Sequence, residues 1–321
     1  MRIAQAMVAA TVAIIATAAN AQQWPSKPVR LVVPFAPGGG TDVQARLLTA
    51  ALQNSTGQTF FVDNRTGASG LIAYHHMIEQ PADGYTVLFT SGSISVVTTL
   101  YANRMKFDPL TDFTPVTWLS STPLVLSLHP SVPAKSPKEL IALAKRVGIS
   151  SMNAGGNTFG STAHLSAELF NQLAGLKSQV ITYRGGGPAS VALISGETDY
   201  IFATAPSVAP HLRSGKAKAI AVTTPKPSPF FPGLPTMNSL LPGFETDNWY
   251  AVFMPKGAPK AVVDRLHAEL VKAHGVDSVK KFLNSEHLEP VNSTPQGLTV
   301  KFKDDIAKYA KIIKAANIRA Q

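Results

Sequence analysis

The sequence predicts an α/β chain built as two lobes, and three observations carry that prediction. An apolar strand, a glycine-rich loop and a helix follow one another repeatedly, with glycine junctions in pairs at 38–40 and 67–70, then at 155–160 and 185–187. Residues 22–321, 300 in number, exceed what one hydrophobic core usually organises. Residues 113–128 are extended and mostly apolar, interrupted by Pro115 and Pro123, and part of them suits a strand crossing between lobes.

Residues 1–21 read as a cleaved secretory leader. Arg2 supplies the positive end, residues 6–18 a short apolar run, and Ala19-Asn20-Ala21 an A-x-A cleavage site. No later stretch reads as a membrane span, and no Cys follows Ala21, so no lipid anchor is expected. The formal charge is +10, but the basic residues are scattered and form no stripe interleaved with aromatics, which argues against nucleic acid as a partner. With no cysteine, disulfides, thiol catalysis and Cys-based zinc sites are excluded.

Residues 29–33 form the first strand. The chain breaks at Pro34-Phe35-Ala36-Pro37, passes Gly38, Gly39 and Gly40, and restarts as a helix at Thr41, which with Gln44 reads as a capping box. Backbone N–H groups at such a helix start favour an anion. No Lys-Ser/Thr follows the glycines, and Val43 fills the last position of a would-be G-x-G-x-x-G. Asp42 would repel a phosphate, so a carboxylate, held partly through water, fits better than a nucleotide. A tight turn without a ligand is the alternative.

Residues 59–63 form the second strand. Asn64 and Arg65 then fix the following loop or bind ligand, and a helix is expected over 71–79. Its adjacent His75 and His76 diverge and make no metal pair. Residues 86–90 form a third strand, ending at Ser91-Gly92-Ser93. Ser91 and Ser93 lie where open α/β sheets bind ligands, or make a local turn. Ser136 and Pro137 open a helix over 139–146.

In the second half, residues 150–153 read as a short strand, 154–162 as a glycine and hydroxyl loop, and 163–173 as a helix. Thr158, Ser161 and Thr162 cap this helix or donate to a ligand. His164 reads as a packed or capping residue, and His164 with Glu168 lacks a third metal ligand. A strand over 179–183 enters Arg184-Gly185-Gly186-Gly187-Pro188, with Pro188 first in the helix 189–194. Strands follow over 200–202 and 218–223, with a helix over 208–213 between them. Two bracing helices follow over 261–273 and 298–316, the last turning Phe302, Ile306, Ala310 and Ile313 inward. Four helix starts around one cleft would favour a carboxylate.

Several segments together resemble the Bug-type, TctC-like extracytoplasmic receptors of tripartite tricarboxylate transporters. They are Trp24-Pro25-Ser26-Lys27-Pro28-Val29-Arg30, the run from Val33 to Asp42 with Arg46, and Val62-Asp63-Asn64-Arg65-Thr66-Gly67-Ala68-Ser69-Gly70. Asp83-Gly84-Tyr85-Thr86, the run from Ala163 to Phe170, and Tyr183-Arg184-Gly185-Gly186-Gly187-Pro188-Ala189 continue the series. Gly215-Lys216, Ala219-Ile220-Ala221-Val222-Thr223, Leu234-Pro235-Thr236 and Trp249-Tyr250 complete it.

The resemblance implies a two-lobe, type II-like periplasmic-binding-protein fold that closes like a flytrap, with two crossing strands. One lobe would comprise residues 22–120 and 227–321, the other 121–226. By position, the resemblance places ligand binding on Phe35, Ala36, Pro37, Gly38, Gly39, Gly40, Thr41 and Asp42, joined by Ala68, Ser69, Ser91 and Ser93. From the other lobe it adds Asn157, Thr158, Phe159, Ser161, Thr162, His164, Tyr183, Gly185, Asp199, Phe202 and Ala205, with Asp199 at a hinge-facing wall. The family often has Pro where Ala36 sits, Glu where Asp63 sits and Pro where Thr66 sits; Ser69 replaces a glycine. Phe159 stacks on an aromatic acid or packs under its loop.

The function so implied is a periplasmic receptor that captures a small organic carboxylate and delivers it to membrane permease subunits, as a monomer without cofactor or metal. A ligand-presenting partner of a membrane sensor is the second reading. A hydrolase is the third: it would rest on Ser161 with His164, because G-x-S-x-G and H-E-x-x-H are absent.

Overall fold

The structure is a computed structural model and describes residues 24–147 and 152–320. The expected leader at 1–21, and Ser150 and Ser151 of an expected strand, lie outside the described residues. Two sheets organise the rest. In the first, β1 (Val29–Val33) pairs in parallel with β2 (Phe60–Asn64) and β3 (Thr86–Ser91). The strand β10 (Asn248–Pro255) lies antiparallel between β3 and β4 (Phe113–Thr122), and β11 (Glu289–Pro290) covers the edge. In the second sheet, β6 (Asn153–Gly156) runs parallel to β7 (Gln179–Thr182) and β8 (Tyr200–Thr204). There β5 (Leu124–Leu128) lies antiparallel to both β8 and β9 (Lys218–Val222).

The central strands are buried on both faces, as their unbroken apolar runs predict. Val29, Leu31 and Val33 pack with Leu48 and Leu52 of α1 (Gly40–Thr56), while Val32 packs on the opposite face with Tyr74 and Trp249. On β8, Tyr200 and Phe202 face Phe170 and Phe244, and Ile201 and Ala203 face Val208. Each Val, Leu, Ile or Phe among them, fully buried, contributes about 1.5–3 kcal/mol.

Only Pro123 separates β4 from β5, so the chain changes sheets at that proline. It returns through residues 223–247 into β10. The crossings lie side by side: Thr223 N–H donates to the Leu124 carbonyl, Leu124 N–H to the Thr223 hydroxyl, and Thr246 N–H to the Thr223 carbonyl.

Several local expectations are corrected. The helix α1 begins at Gly40 with Gly39 as its cap, so Thr41 and Gln44 form no capping box; Gln44 Nε2 instead donates to Ser120 Oγ at 2.7 Å. Gly155 and Gly156 belong to β6 rather than to a loop, because a Cβ on Gly155 would strike Ile201 of the neighbouring strand. Pro188 is the third residue of α7 (Gly186–Ser195), not its first. The serine turn after β3 leads at once into α3 (Ser93–Leu100), following α2 (Leu71–Ile78) in chain order. Its Ile94, Val96, Val97, Thr98 and Thr99 are β-branched, which weakens the helical signal.

Next in chain order come α4 (Pro109–Asp112) and α5 (Pro137–Val147), the latter packing Leu140 and Ala144 into the second sheet's core. Ser136 Oγ accepts the Glu139 N–H at the start of α5, as its sequence predicts. The helices α6 (Thr162–Ala174) and α8 (Ala205–Arg213) flank α7 in order, and α9 (Met237–Leu240), α10 (Lys260–His274) and α11 (Asp277–Ser285) precede the last helix. That helix, α12 (Pro295–Ala315), buries Asp305 and Tyr309 besides Leu298, Phe302 and Ile313. Asp305 accepts the Trp249 indole N–H at 2.6 Å and pairs with Lys301 and Lys308. Tyr309 and Ile313 pack against Val96 of α3 and Leu165 of α6, so α12 braces both lobes. No helix among the described residues is long and apolar enough to cross a membrane.

Candidate functional site

Five helices, α1, α3, α6, α7 and α8, begin around one cavity between the two sheets. This follows from topology: parallel strands deliver their following helices to one end of each sheet, and the two sheets present those ends to each other. From the first lobe, Phe35, Gly39, Gly40, Thr41, Ser91 and Ser93 line the cavity, with Asn248 and Tyr250 from β10. From the second come Asn157, Ser161, Thr162, Gly185, Gly186, Thr204 and Ser207. None of these side chains carries a charge. The cavity measures about 30 Å³, room for about two waters and too little for a dicarboxylate in this arrangement of the lobes.

The lobes are joined across the cavity by reciprocal hydroxyl caps. Gly39 has no side chain with which to cap α1, and Ser207 Oγ from α8 accepts the Gly40 N–H at 3.2 Å. In the opposite direction, Ser93 Oγ from α3 accepts the Thr162 N–H of α6 at 3.3 Å. Thr162 Oγ1 also donates to Asn248 Oδ1 at 3.1 Å, and Ala36 N–H donates to the Arg184 carbonyl at 3.2 Å. Glycines permit this approach: a Cβ on Gly187 would lie 3.1–3.2 Å from the backbone of Gly38 and Pro37.

Asp42 does not line the cavity. It is buried beneath the loop, where Oδ2 accepts the Gly38 N–H and Arg46 Nε, and Oδ1 accepts Asn64 Nδ2. Burial pushes its carboxyl up, but the hydrogen bonds from Arg46, Gly38 and Asn64 and the Arg46 charge outweigh that and hold it below the usual range. Asn64 also donates to the Phe35 carbonyl, so it fixes the loop. Gly38, at φ +82°, and Pro37 face an outer groove, as does Tyr183, whose hydroxyl donates to Glu197.

The 67–70 junction also stands away from the cavity. Ala68 is exposed, Ser69 Oγ meets the Tyr101 hydroxyl at 3.1 Å, and Gly70 abuts Pro34 and Tyr74. Thr158 accepts the Ser161 N–H through its carbonyl. Phe159 packs under its loop, 4.5 Å from the His164 ring and against the first lobe's apolar cluster. Asp199 precedes β8, at the end remote from the cavity, and its Oδ2 accepts the Asn153 N–H. Phe202 is a core residue stacked on Phe244, and Ala205 is buried with its N–H on the Pro123 carbonyl.

Ser161 and His164 do not form a nucleophile–base pair. Ser161 Oγ caps α6 by accepting the His164 backbone N–H, while His164 Nδ1 accepts the Gly160 N–H. Burial depresses the His164 pKa to about 4, so the ring is neutral at pH 7, 3.6 Å from Glu168. Among the described residues no group of three His, Cys, Asp or Glu is placed to hold a metal ion.

Ser207, Asn248 and Tyr250 line the cavity without having been singled out as ligand-binding from the sequence, whereas Gly186 and Thr204 fall within the stretches 183–186 and 202–205 that the resemblance assigns to the ligand. Thr204 and Ser207 had a signal, since hydroxyls just past a strand's end selected Ser91 and Ser93. The β8–α8 junction has no glycine, so the resemblance, through Phe202 and Ala205, rather than a glycine loop points to it. Asn248 and Tyr250 lie within a strand and carry no comparable signal.

The sequence model of the tripartite tricarboxylate transporter family receptor, TctC, matches residues 44–318. Protein BugT of Bordetella pertussis is 35% identical over 303 residues, which cover 94% of this chain and 92% of that protein. The structure of R. palustris Rpa4515 with adipate has a TM-score of 0.88 and 37% identity, covering 92% of this chain and 99% of that one. MatC (Rpa3494) from Rhodopseudomonas palustris, with bound malate, has a TM-score of 0.85 and 29% identity, covering 90% and 100%. Sequence and fold are thus shared with these proteins along nearly the whole chain, and the protein belongs to the TctC family of periplasmic solute-binding receptors.

Proposed function

We propose that this protein captures a small organic carboxylate, a di- or tricarboxylate or an aromatic acid, between its lobes in the periplasm and delivers it to a tripartite tricarboxylate-type permease. The observation that carries this reading is the cavity itself: five helix N-termini and a ring of hydroxyls converge there without a charged side chain. Helix dipoles and oriented donors favour an anion. Adipate and malate in the related structures are both dicarboxylates.

Closure is the signal in this reading. The cross-lobe bonds of Ser207 and Ser93 form only when the lobes meet, so a permease or sensor can distinguish closed from open.

The test is a thermal-shift screen of residues 22–321 against adipate, malate, succinate, citrate, nicotinate, benzoate and terephthalate, with matching amides. A ligand at a hundred times its Kd stabilises the fold by about 2.7 kcal/mol, a rise of several degrees in Tm. A shift with an acid and none with its amide supports the reading. No shift with any acid refutes it. Loss of uptake when the candidate permease is deleted separates transport from sensing.

A further inference from the structure

Two donors on β10 stand in the cavity without acceptors. Tyr250 and Asn248, two residues apart on one strand, point to the same face. Tyr250 is fully buried, and its ring is stacked on Phe89 with centroids 6.2 Å apart and planes 4° from parallel. Its hydroxyl ends among Gly40, Thr204 and Asn248 without a hydrogen bond of good geometry to any of them. Thr204 Oγ1 is engaged with Ser207 Oγ at 2.8 Å. Asn248 is 2% exposed; its Oδ1 takes the Thr162 hydroxyl, which leaves Nδ2 unpartnered. Buried polar groups in native proteins are nearly always hydrogen-bonded, and orphans concentrate where a ligand supplies the partner.

Resting on the carboxylate-receptor reading, we infer that the Tyr250 hydroxyl and Asn248 Nδ2 form an acceptor-reading subsite that takes a carboxylate oxygen of the bound solute. Tyr250 is fixed by its stacking before the solute arrives, and Asn248 is fixed by Thr162 of the other lobe as the lobes meet. The subsite offers donors at a point where the Gly40 N–H is already held by Ser207. It therefore selects an oxygen acceptor and disfavours an ammonium group at that position.

The test compares residues 22–321 with Tyr250→Phe and Asn248→Asp, each titrated calorimetrically with adipate and with malate and melted without either. Tyr250→Phe removes an unpartnered buried hydroxyl, so the unliganded Tm is expected to hold or rise while affinity falls at least tenfold. Asn248→Asp keeps the Oδ1 acceptor for Thr162 and replaces a donor with a carboxylate, so binding is expected to fall at least a hundredfold. A lower unliganded Tm in Tyr250→Phe would mean the hydroxyl is bonded within the fold, and would overturn the inference. Binding by the wild type that both variants retain would overturn the inference alone. No binding of either acid by the wild type would overturn the receptor reading together with it.

Discussion

Gly40→Ala burdens lobe closure and, with it, the Tyr250 subsite. A Cβ at Gly40 would collide with the Tyr250 hydroxyl in its own lobe, and would lie 3.0 Å from Thr204 Oγ1 and 3.4 Å from Pro206 Cβ in the other. The Tyr250 collision is present whether the lobes are open or closed, so it leaves the closure equilibrium alone, but it displaces the hydroxyl inferred to take the solute's oxygen and adds to the loss of affinity. The helix-propensity gain of alanine over glycine, up to about 1 kcal/mol, likewise cancels between the two states. The Thr204 and Pro206 contacts exist only when the lobes meet. Thr204 cannot turn aside freely because its hydroxyl is bonded to Ser207. Overpacking of this kind costs about 1–3 kcal/mol; the lower half of that range applies to a single 3.0 Å contact, which corresponds to about a 5- to 30-fold loss of affinity. Calorimetric titration of wild type and variant with the acid found by the screen measures it. Unchanged affinity in a folded Gly40→Ala protein would refute the claim that binding requires this closed geometry.

Three further outcomes follow from the same structure. Ser207→Ala and Ser93→Ala each remove a cross-lobe helix cap, so each weakens ligand affinity by about 0.5–2 kcal/mol, and scattering of the unliganded double variant gives a larger radius of gyration than wild type. Asp42→Ala leaves the Gly38 N–H, Arg46 and Asn64 without their shared acceptor and lowers stability by about 1–3 kcal/mol in urea unfolding, with Asp42→Asn losing less. Burial holds His164 and His274 at about 4, below the ordinary value of about 6.5, so between those pH values the unfolded chain binds more protons than the folded one. Stability is therefore full above about pH 6.5 and falls as the pH drops toward 4, by up to about 3 kcal/mol for each ring, which urea melts at pH 7 and 4.5 measure.

The strands and glycine junctions were legible because their signals are local. The run from Val29 to Val33 alternates between two cores, and Pro123 marks the change of sheet. Glycine junctions at 38–40, 155–160 and 185–187 lead to helices that start at the cavity, whereas the 67–70 junction looks alike in sequence and leads elsewhere. What separates them is their tertiary surroundings, which no local pattern encodes. Asp42 looked like a repulsive cap residue; its partners Arg46 and Asn64 turn it into the clasp of the loop. Tyr250 was illegible as a site residue because a tyrosine in an apolar strand reads as core. Its ring is core, and only its hydroxyl reaches the cavity.

The most direct test of the account is a crystal structure of residues 22–321 with the acid that gives the largest thermal shift. The account predicts the solute between the lobes, a carboxylate oxygen within about 3.2 Å of N–H or hydroxyl donors at the start of α1 and beside Tyr250, and no Lys or Arg side chain touching it. A solute seated in the outer groove beside Pro37 and Tyr183, or paired with a basic side chain, would contradict it.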